Sequence, residues 1–299
     1  MRIAIATCRD LPDWEVDDQP FHAALRTRGV RFERPAWDDP DADWAEFDAV
    51  LIRTTWDYME RVDEFVAWAE RVAAVSRLLN PLPVVKWNTR KTYLRELEAA
   101  GVRIAPTEWL EREQTIDVAA LLAHRGWTRA FIKPVVGATA RETLRFADDP
   151  AGIEAAEQHL RRTLAREPMM MQPYLEAVET EGELSALFFD GELSHGVRKV
   201  PVDGDYRVQD DFGAHDEPHQ FTRAEVELAT GIVQTARDHL GLDESLLYAR
   251  VDFLRDPDGT LLLNELELVE PSLFFRHDAD SPGRLADALV RRLEGGGAA

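Results

Sequence analysis

Leu247-Tyr248-Ala249-Arg250-Val251-Asp252-Phe253-Leu254-Arg255, then Asp256-Pro257-Asp258-Gly259, then Thr260-Leu261-Leu262-Leu263-Asn264-Glu265-Leu266-Glu267 read as two apolar strands joined by a tight turn. Glu265 and Glu267 are two apart, so in an extended segment they leave the same face, and a hairpin brings Asp252 opposite them. Carboxylates held that close repel one another unless a cation sits between them. Hard oxygen donors with little nitrogen or sulfur nearby favour Mg²⁺, which takes phosphate oxygens and waters as its remaining ligands. The competing reading is a hairpin with a charged outer face.

Working outward, the rest of the chain bounds what such a site could serve. With 299 residues there is room for two or three compact domains and a large core. Lys plus Arg number 35 against 56 Asp plus Glu, a formal charge of -21, which argues against nucleic acid and anionic membrane surfaces as partners. Any phosphate would need a local cluster of cations. Cys8 is the only cysteine, which removes an internal disulfide and a thiolate metal site and fits a reducing cytoplasm. No apolar run approaches membrane-spanning length, and the one at Met1 to Thr7 is too short for a signal peptide, so a soluble cytoplasmic protein is expected.

Strands at Ile3 to Thr7, Val30 to Pro35 and Ala49 to Arg53 alternate with helical patterns near Pro20 to Arg28 and Val62 to Val75, which predicts a small doubly wound parallel-sheet domain. Ligands gather at the carboxyl ends of such strands. That places Thr55, Trp56 and Asp57, directly after the third strand, as candidates to hold a small polar substrate; a capped turn with Trp56 as a packed lid explains them as well. The first turn, Thr7 to Pro12, contains no glycine, so a dinucleotide fingerprint is absent.

Beyond it, Asn88-Thr89 reads as the cap of a helix carrying Lys91 in its first turn and ending near Gly101. A cation there opposes the helix dipole, a conflict that a bound phosphate would resolve. Lys133 interrupts the apolar run Ala130 to Gly137 and reads as a buried cation awaiting an anion rather than an edge charge. Met169 to Leu175 is strand-like. Glu183 to Phe189, Asp190-Gly191 and Glu192 to Val200 form the clearest hairpin. Asp203 to Pro218 lacks periodicity and reads as a loop carrying Arg207 and Gln209. His215 and His219 would suit a metal only on a helix, and Pro218 argues against one. A helix from Arg223 to Leu240 and another from Arg284 to Leu293 complete the pattern. All eight tryptophans lie between Trp14 and Trp127, a composition shift that supports a domain change.

In this order the features resemble the ATP-grasp superfamily, in the branch of prokaryotic glutathione synthetase and the ribosomal-protein glutamate ligases, from about Trp87 to Phe275. The front half, in Ala36-Trp37-Asp38-Asp39-Pro40, Arg53 to Tyr58 and Asn80-Pro81 leading to Trp87-Asn88, resembles the O-ureido-D-serine cyclo-ligase branch of that superfamily. The resemblance implies an α/β chain that is α+β in its ATP-grasp part. An N-terminal substrate-binding domain (1–86) would precede a central lid subdomain (87–175) and a C-terminal metal-binding and catalytic subdomain (176–299). It implies ATP and Mg²⁺ as cofactors, with Lys91 and Lys133 on phosphates, Gln172, Tyr174 and Leu175 at the adenine, and Glu183 on the ribose. Arg207 and Gln209 would lie in a closing loop, Asp252, Glu265 and Glu267 on the metal, and Arg250 beside an acyl phosphate, with Lys199 near it. Two departures stand out: the usual Glu-x-Asn is Glu265-Leu266-Glu267, and the glycine-rich lid is reduced to Gly137-Ala138-Thr139-Ala140. The expected activity is activation of a small amino-acid-like carboxylate as an acyl phosphate and closure of a C–N bond, within one molecule or to a second amine. A module that senses nucleotide without turnover is the alternative. Pairing into a homodimer through the N-terminal domain is expected by analogy.

Overall fold

The structure is a computed structural model describing residues 1–11, 13–137, 140–202, 207–208 and 213–295. Gln209, Ala138 and Thr139, and most of the expected loop before residue 213, lie outside the described residues.

The chain opens with β1 (Arg2–Thr7), α1 (Gln19–Thr27), β2 (Arg31–Glu33), β3 (Ala49–Thr54), α2 (Val62–Val75) and β4 (Arg77–Leu79). The four strands form a parallel sheet in the order β2-β1-β3-β4. Both faces of β1 and β3 are buried, which is why they read as unbroken apolar runs. Ile3, Ile5, Ala49 and Leu51 face Phe21 and Leu25 of α1, whereas Ala4, Ala6, Val50 and Ile52 face Phe65, Trp68 and Val72 of α2. The expected doubly wound sheet is thus present, with helices on opposite faces.

Two helices follow where the sequence suggested one. α3 (Leu82–Asn88) starts at Pro81-Leu82-Pro83 and stops at Thr89, and α4 (Tyr93–Ala99) begins after it. Proline in the first turn suits a helix start, and Asn88-Thr89 closes a helix rather than opening one. Lys91 therefore lies in the break, not in a first turn. β5 (Glu108–Leu110), α5 (Val118–Arg125), β6 (Arg129–Pro134), β7 (Leu144–Ala147), α6 (Pro150–Thr163) and β8 (Met169–Pro173) build an antiparallel sheet in the order β5-β8-β6-β7. The methionine run of β8 is wholly buried in it, as expected of core.

After the short α7 (Ala177–Thr180), a third sheet contains β9 (Glu183–Phe189), β10 (Glu192–Val200), β11 (His215–His219), β12 (Tyr248–Arg255) and β13 (Leu261–Glu267), in the order β11-β10-β9-β12-β13. α8 (Arg223–His239) precedes the β12–β13 hairpin and α9 (Ser281–Gly295) ends the described chain. β11 corrects the expectation of a loop up to Pro218: it pairs antiparallel with β10, and because it is an edge strand the missing N–H of Pro218 is tolerated.

The pleat of this third sheet sorts its side chains. Leu184, Ala186, Phe188, Ala249, Val251, Phe253 and Leu266 point to one face and pack against α4 and α8. On the other face Leu187, Phe189, Val197 and Tyr248 join the α1 side of the N-terminal sheet and α9 in one core. The remainder of that second face is polar. It forms the floor of a cavity between the sheets.

Candidate functional site

The hairpin that opened the sequence reading sets the site. In its register Asp252 pairs with Glu265 and Arg250 with Glu267. The turn is held by Asp256, whose Oδ1 accepts from the backbone N–H of Asp258 at 3.0 Å and Thr260 at 2.9 Å, and Gly259 supplies the positive φ of 77° that the turn needs. Neighbouring strands continue the row, with Ser185 opposite Asp252 and Lys199 opposite Glu183. One pleat face thus presents Lys199, Glu183, Asp252, Arg250, Glu267 and Glu265 side by side.

These groups line a cavity of about 270 Å³ whose walls come from the second and third sheets, the break between α3 and α4, and Trp56 and Tyr58 just after β3. Lys91 and Lys133 enter from the side of the second sheet and grip the two oxygens of Glu265, at 3.1 and 3.0 Å. The lysine singled out in β6 is therefore a buried cation facing an anion. Lys91 is fixed further by its backbone N–H to the Val135 carbonyl (2.8 Å) and its Nζ to the Gly137 carbonyl (2.9 Å). Arg250 clasps Asp252 through Nε and Nη2 at 2.9–3.1 Å, reaches Glu267 through Nη2, and donates to the Ser272 carbonyl at 3.2 Å. Lys199 pairs with Glu183 and lies 3.6 Å from Asp252. Among the described residues no group of three or more His, Cys, Asp or Glu is gathered around a common point. Each of the three predicted metal carboxylates faces a lysine or arginine instead.

Charge in this enclosed row is uneven. Burial works against the Glu265 anion, but Lys91 and Lys133 outweigh it and hold the group down at about 2. Burial, reinforced by Asp252 and Glu265, pushes Glu267 up to about 7 despite Arg250. Burial and the neighbouring Glu267 push Glu270 up to about 8. Lys199 is raised despite its burial, by Asp252 and Glu183. The row is rich in oxygen donors, and Glu267 and Glu270 are the two whose charge the neighbouring cations do not sustain against burial. That donor chemistry fits a hard divalent cation.

At the other end of the cavity Gln172, Tyr174 and Leu175 line the wall beside Ala105, Val178 and Leu254. The Gln172 amide donates to Thr107 Oγ1 at 2.9 Å, and Arg129 stacks 4.5 Å from the centre of the Tyr174 ring. Arg207 also lines the cavity. Of the three residues expected to hold substrate, Trp56 lines the cavity, with its indole N–H on the Glu270 carbonyl at 3.1 Å. Thr55 is buried, and Asp57 accepts from Trp37 Nε1 at 2.7 Å and from Arg61 at 3.1 Å, which corrects the expectation for both. Sequence reasoning gave no role to Tyr93, Asn264 and Glu270, which line the cavity together with Tyr58, the last residue of the stretch after β3. Asn264 bridges Lys133 and Glu183, at 3.3 and 2.7 Å, and was hidden because it faces away from its acidic neighbours in an alternating pattern only if the bulge at Asp252/Phe253 is ignored.

Comparison with known proteins agrees with this architecture. Residues 3–80 match the family described as the N-terminal domain of D-cycloserine synthetase DcsG, and residues 103–253 match the ATP-grasp domain of prokaryotic glutathione synthetase. The chain belongs to the ATP-grasp family of carboxylate–amine ligases. Within it, the chain is 36 % identical over 288 residues to the cycloserine biosynthesis protein DcsG of Streptomyces lavendulae, covering 94 % of this chain and 95 % of that protein. A crystal structure of D-cycloserine synthetase DcsG superposes with a TM-score of 0.89 at 33 % identity over 98 % of this chain and all of the other. Glutathione synthetase of Prochlorococcus marinus strain MIT 9313 is 28 % identical over 75 % of this chain and 66 % of its own length. D-Alanine–D-alanine ligase of Bacillus anthracis shares the fold at a TM-score of 0.67 and 16 % identity, covering 98 % of this chain and 97 % of that one. The recognition of an ATP-grasp ligase with a mixed α/β fold is borne out. ATP is the nucleotide of this family. No described helix is long and apolar enough to cross a membrane.

Proposed function

We propose that this chain uses ATP to activate the carboxylate of a small amino-acid-like molecule as an acyl phosphate and then closes a C–N bond by attack of an amine. The observation that carries the reading is the cation row, in which Lys91 from the break between α3 and α4, Lys133 from the second sheet, and Lys199 and Arg250 from the third enter one enclosed cavity. The γ-phosphoryl group and the carboxylate it must meet are both anionic, so the reaction is mostly a matter of positioning and charge compensation.

In this reading Gln172, Tyr174 and Leu175 bound the adenine, Glu183 holds the ribose, and Lys91 and Lys133 take the phosphate oxygens, giving up part of their hold on Glu265. Asp252, Glu265 and Glu267 would hold Mg²⁺, which supplies charge neutralisation at the transferring phosphoryl group. Arg250 faces the oxyanion that develops as the amine attacks, with Lys199 and Arg207 as neighbouring clamps. Arg207, at the cavity wall, would help to keep water from the acyl phosphate. The division of labour follows the proposed domain limits 1–86, 87–175 and 176–299. We place the protein in the cytoplasm and infer a homodimer by analogy. The extent of identity to the Streptomyces cycloserine protein supports ring closure within one molecule over joining of two.

The test is phosphate release from ATP and Mg²⁺ across a panel of amino acids that includes O-ureido-D-serine, with hydroxylamine present to trap an acyl phosphate as a hydroxamate. A hydroxamate with a single organic substrate supports the cyclising reading. A requirement for two substrates reassigns the enzyme to intermolecular ligation, and no phosphate release with any carboxylate refutes the proposal.

A further inference from the structure

Five carboxylates line the cavity, and four of them have a lysine or arginine of their own. Glu265 has Lys91 and Lys133, Glu267 and Asp252 share Arg250, and Glu183 has Lys199. Glu270 differs: among the described residues it makes no ion pair, and its carboxyl lies beside Tyr58 at the cavity wall. It is also rigidly placed. Its carbonyl accepts from the Trp56 indole, and the next carbonyl, of Pro271, accepts from Arg53 Nη1 at 2.9 Å, an arginine itself buried and clasped by Asp18. Trp56, Tyr58, Ser272 and Phe274 surround this corner of the cavity, near Arg250 and away from the wall of Gln172 to Leu175.

Lys91 and Arg250 act on Glu270 only from beyond ion-pair distance, and a carboxylate in an aromatic corner with no cation in direct contact is costly to keep charged, a cost that a ligand cation removes. Aromatic faces attract ammonium groups in the same way. We propose that Glu270, with Tyr58 and Trp56, is the subsite that takes the ammonium group of the substrate, so that the molecule activated here is an amino acid carrying a free α-ammonium while its carboxylate points to Arg250. This rests on the ligase reading above and adds the substrate class. Glu270 would be a specificity-determining residue rather than part of the phosphoryl-transfer machinery.

The experiment compares the most active amino acid of the hydroxamate panel with its desamino counterpart, in which hydrogen replaces the ammonium. For the unaltered protein the amino acid is expected to be favoured by about 30-fold or more in kcat/KM, the typical consequence of leaving a buried charge unpaired. Glu270→Gln keeps the size and shape of the side chain and removes the charge, and is expected to raise KM for the amino acid by a similar factor, leave KM for ATP within about twofold, and erase the preference over the desamino compound. Tyr58→Phe, which leaves the carboxylate in place, is expected to keep a part of the preference. Hydroxamate from the desamino acid as readily as from the amino acid would overturn the inference while the ligase reading stands, and this arm needs no variant. Unchanged KM in Glu270→Gln would overturn it as well. Absence of phosphate release with every carboxylate would sink the ligase reading and the inference together.

Discussion

Replacing Arg250 separates two tasks that one side chain performs. Its guanidinium makes three contacts to Asp252 and one to Glu267, all within the buried row, and its Nη1 holds the Ser272 carbonyl. Arg250→Ala strips Glu267 of its ion pair and leaves Asp252 with Lys199 alone at 3.6 Å, a change that typically costs about 3–5 kcal/mol and would lower the thermal midpoint by roughly 10 °C. Loss of turnover in that variant would therefore be uninformative. Arg250→Lys retains the charge but not the planar fork, so a single ammonium cannot reach Asp252, Glu267 and the Ser272 carbonyl together. The expected outcome is a midpoint close to that of the parent protein, a KM for ATP within a fewfold, and kcat for phosphate release lower by about two to three orders of magnitude, the usual consequence of losing one oxyanion donor. Scanning calorimetry and steady-state phosphate release give the three quantities. Parent-like kcat in the lysine variant would refute the oxyanion assignment and leave Arg250 as the counter-ion of Asp252 and Glu267.

Lys133→Met should raise KM for ATP roughly ten- to hundredfold, the worth of one charge-assisted phosphate contact, with Lys91 still paired to Glu265; titration calorimetry with ATP reads it directly. His22 is buried against Phe32 with Nε2 unpartnered, and burial pushes it down to about 4 against the pull of Asp18. Its neutral form is therefore the folded one. The unfolded chain takes up the proton first as pH falls from about 6.5, so stability present above that value is lost progressively down to about pH 4, by about 3 kcal/mol at full extent. Denaturant titrations of His22→Leu should lack that slope between pH 6.5 and 4; an unchanged slope would assign it to other groups. Tyr248→Phe should cost about 1–3 kcal/mol in the same measurement, since its buried hydroxyl is shared by the carbonyls of Ile52, Leu79 and Val269, at 2.8–3.4 Å.

What could be read from the sequence follows a physical line. The β9–β10 and β12–β13 hairpins were legible to within a residue or two because Asp190-Gly191 and Asp256 to Gly259 carry turn chemistry between alternating apolar runs. Lys133 was legible because a lone charge in a buried run needs an anion. β7 and β11 were not, since Leu144–Ala147 is short and half-exposed and His-Asp-Glu-Pro-His has no apolar alternation; neighbouring strands, not their own side chains, make them strands. Lys91 was assigned to the right cavity through a helix start that does not exist there. Asp57 was assigned to substrate on the rule for carboxyl ends of parallel strands, which locates a region but not the direction of each side chain. Glu270 escaped notice because its meaning is relational: nothing in Val269-Glu270-Pro271 tells that four other carboxylates find cations and this one does not.

The two asparagines of the front-half resemblance account for how that region is held. β13 is an edge strand, with backbone groups that no sixth strand satisfies. Asn88 exchanges two hydrogen bonds with it, Nδ2 to the Leu266 carbonyl and Oδ1 from the Leu268 N–H, both 2.8 Å. Asn80 does the same around β12, taking the Leu247 N–H at 2.8 Å and donating to the carbonyls of Tyr248 and Leu268 at 2.9 Å. Each carboxamide stands in for a strand residue, and together they tie the first part of the chain to the hairpin that carries Arg250, Asp252, Glu265 and Glu267. Tyr248 and Arg53 close the same junction from opposite sides, one through carbonyls of the parallel sheet and the other through the Pro271 carbonyl. The segment between Glu267 and Ser272 is consequently anchored at both ends by the N-terminal sheet, so substrate recognition at Glu270 and charge compensation at Arg250 share one rigid frame.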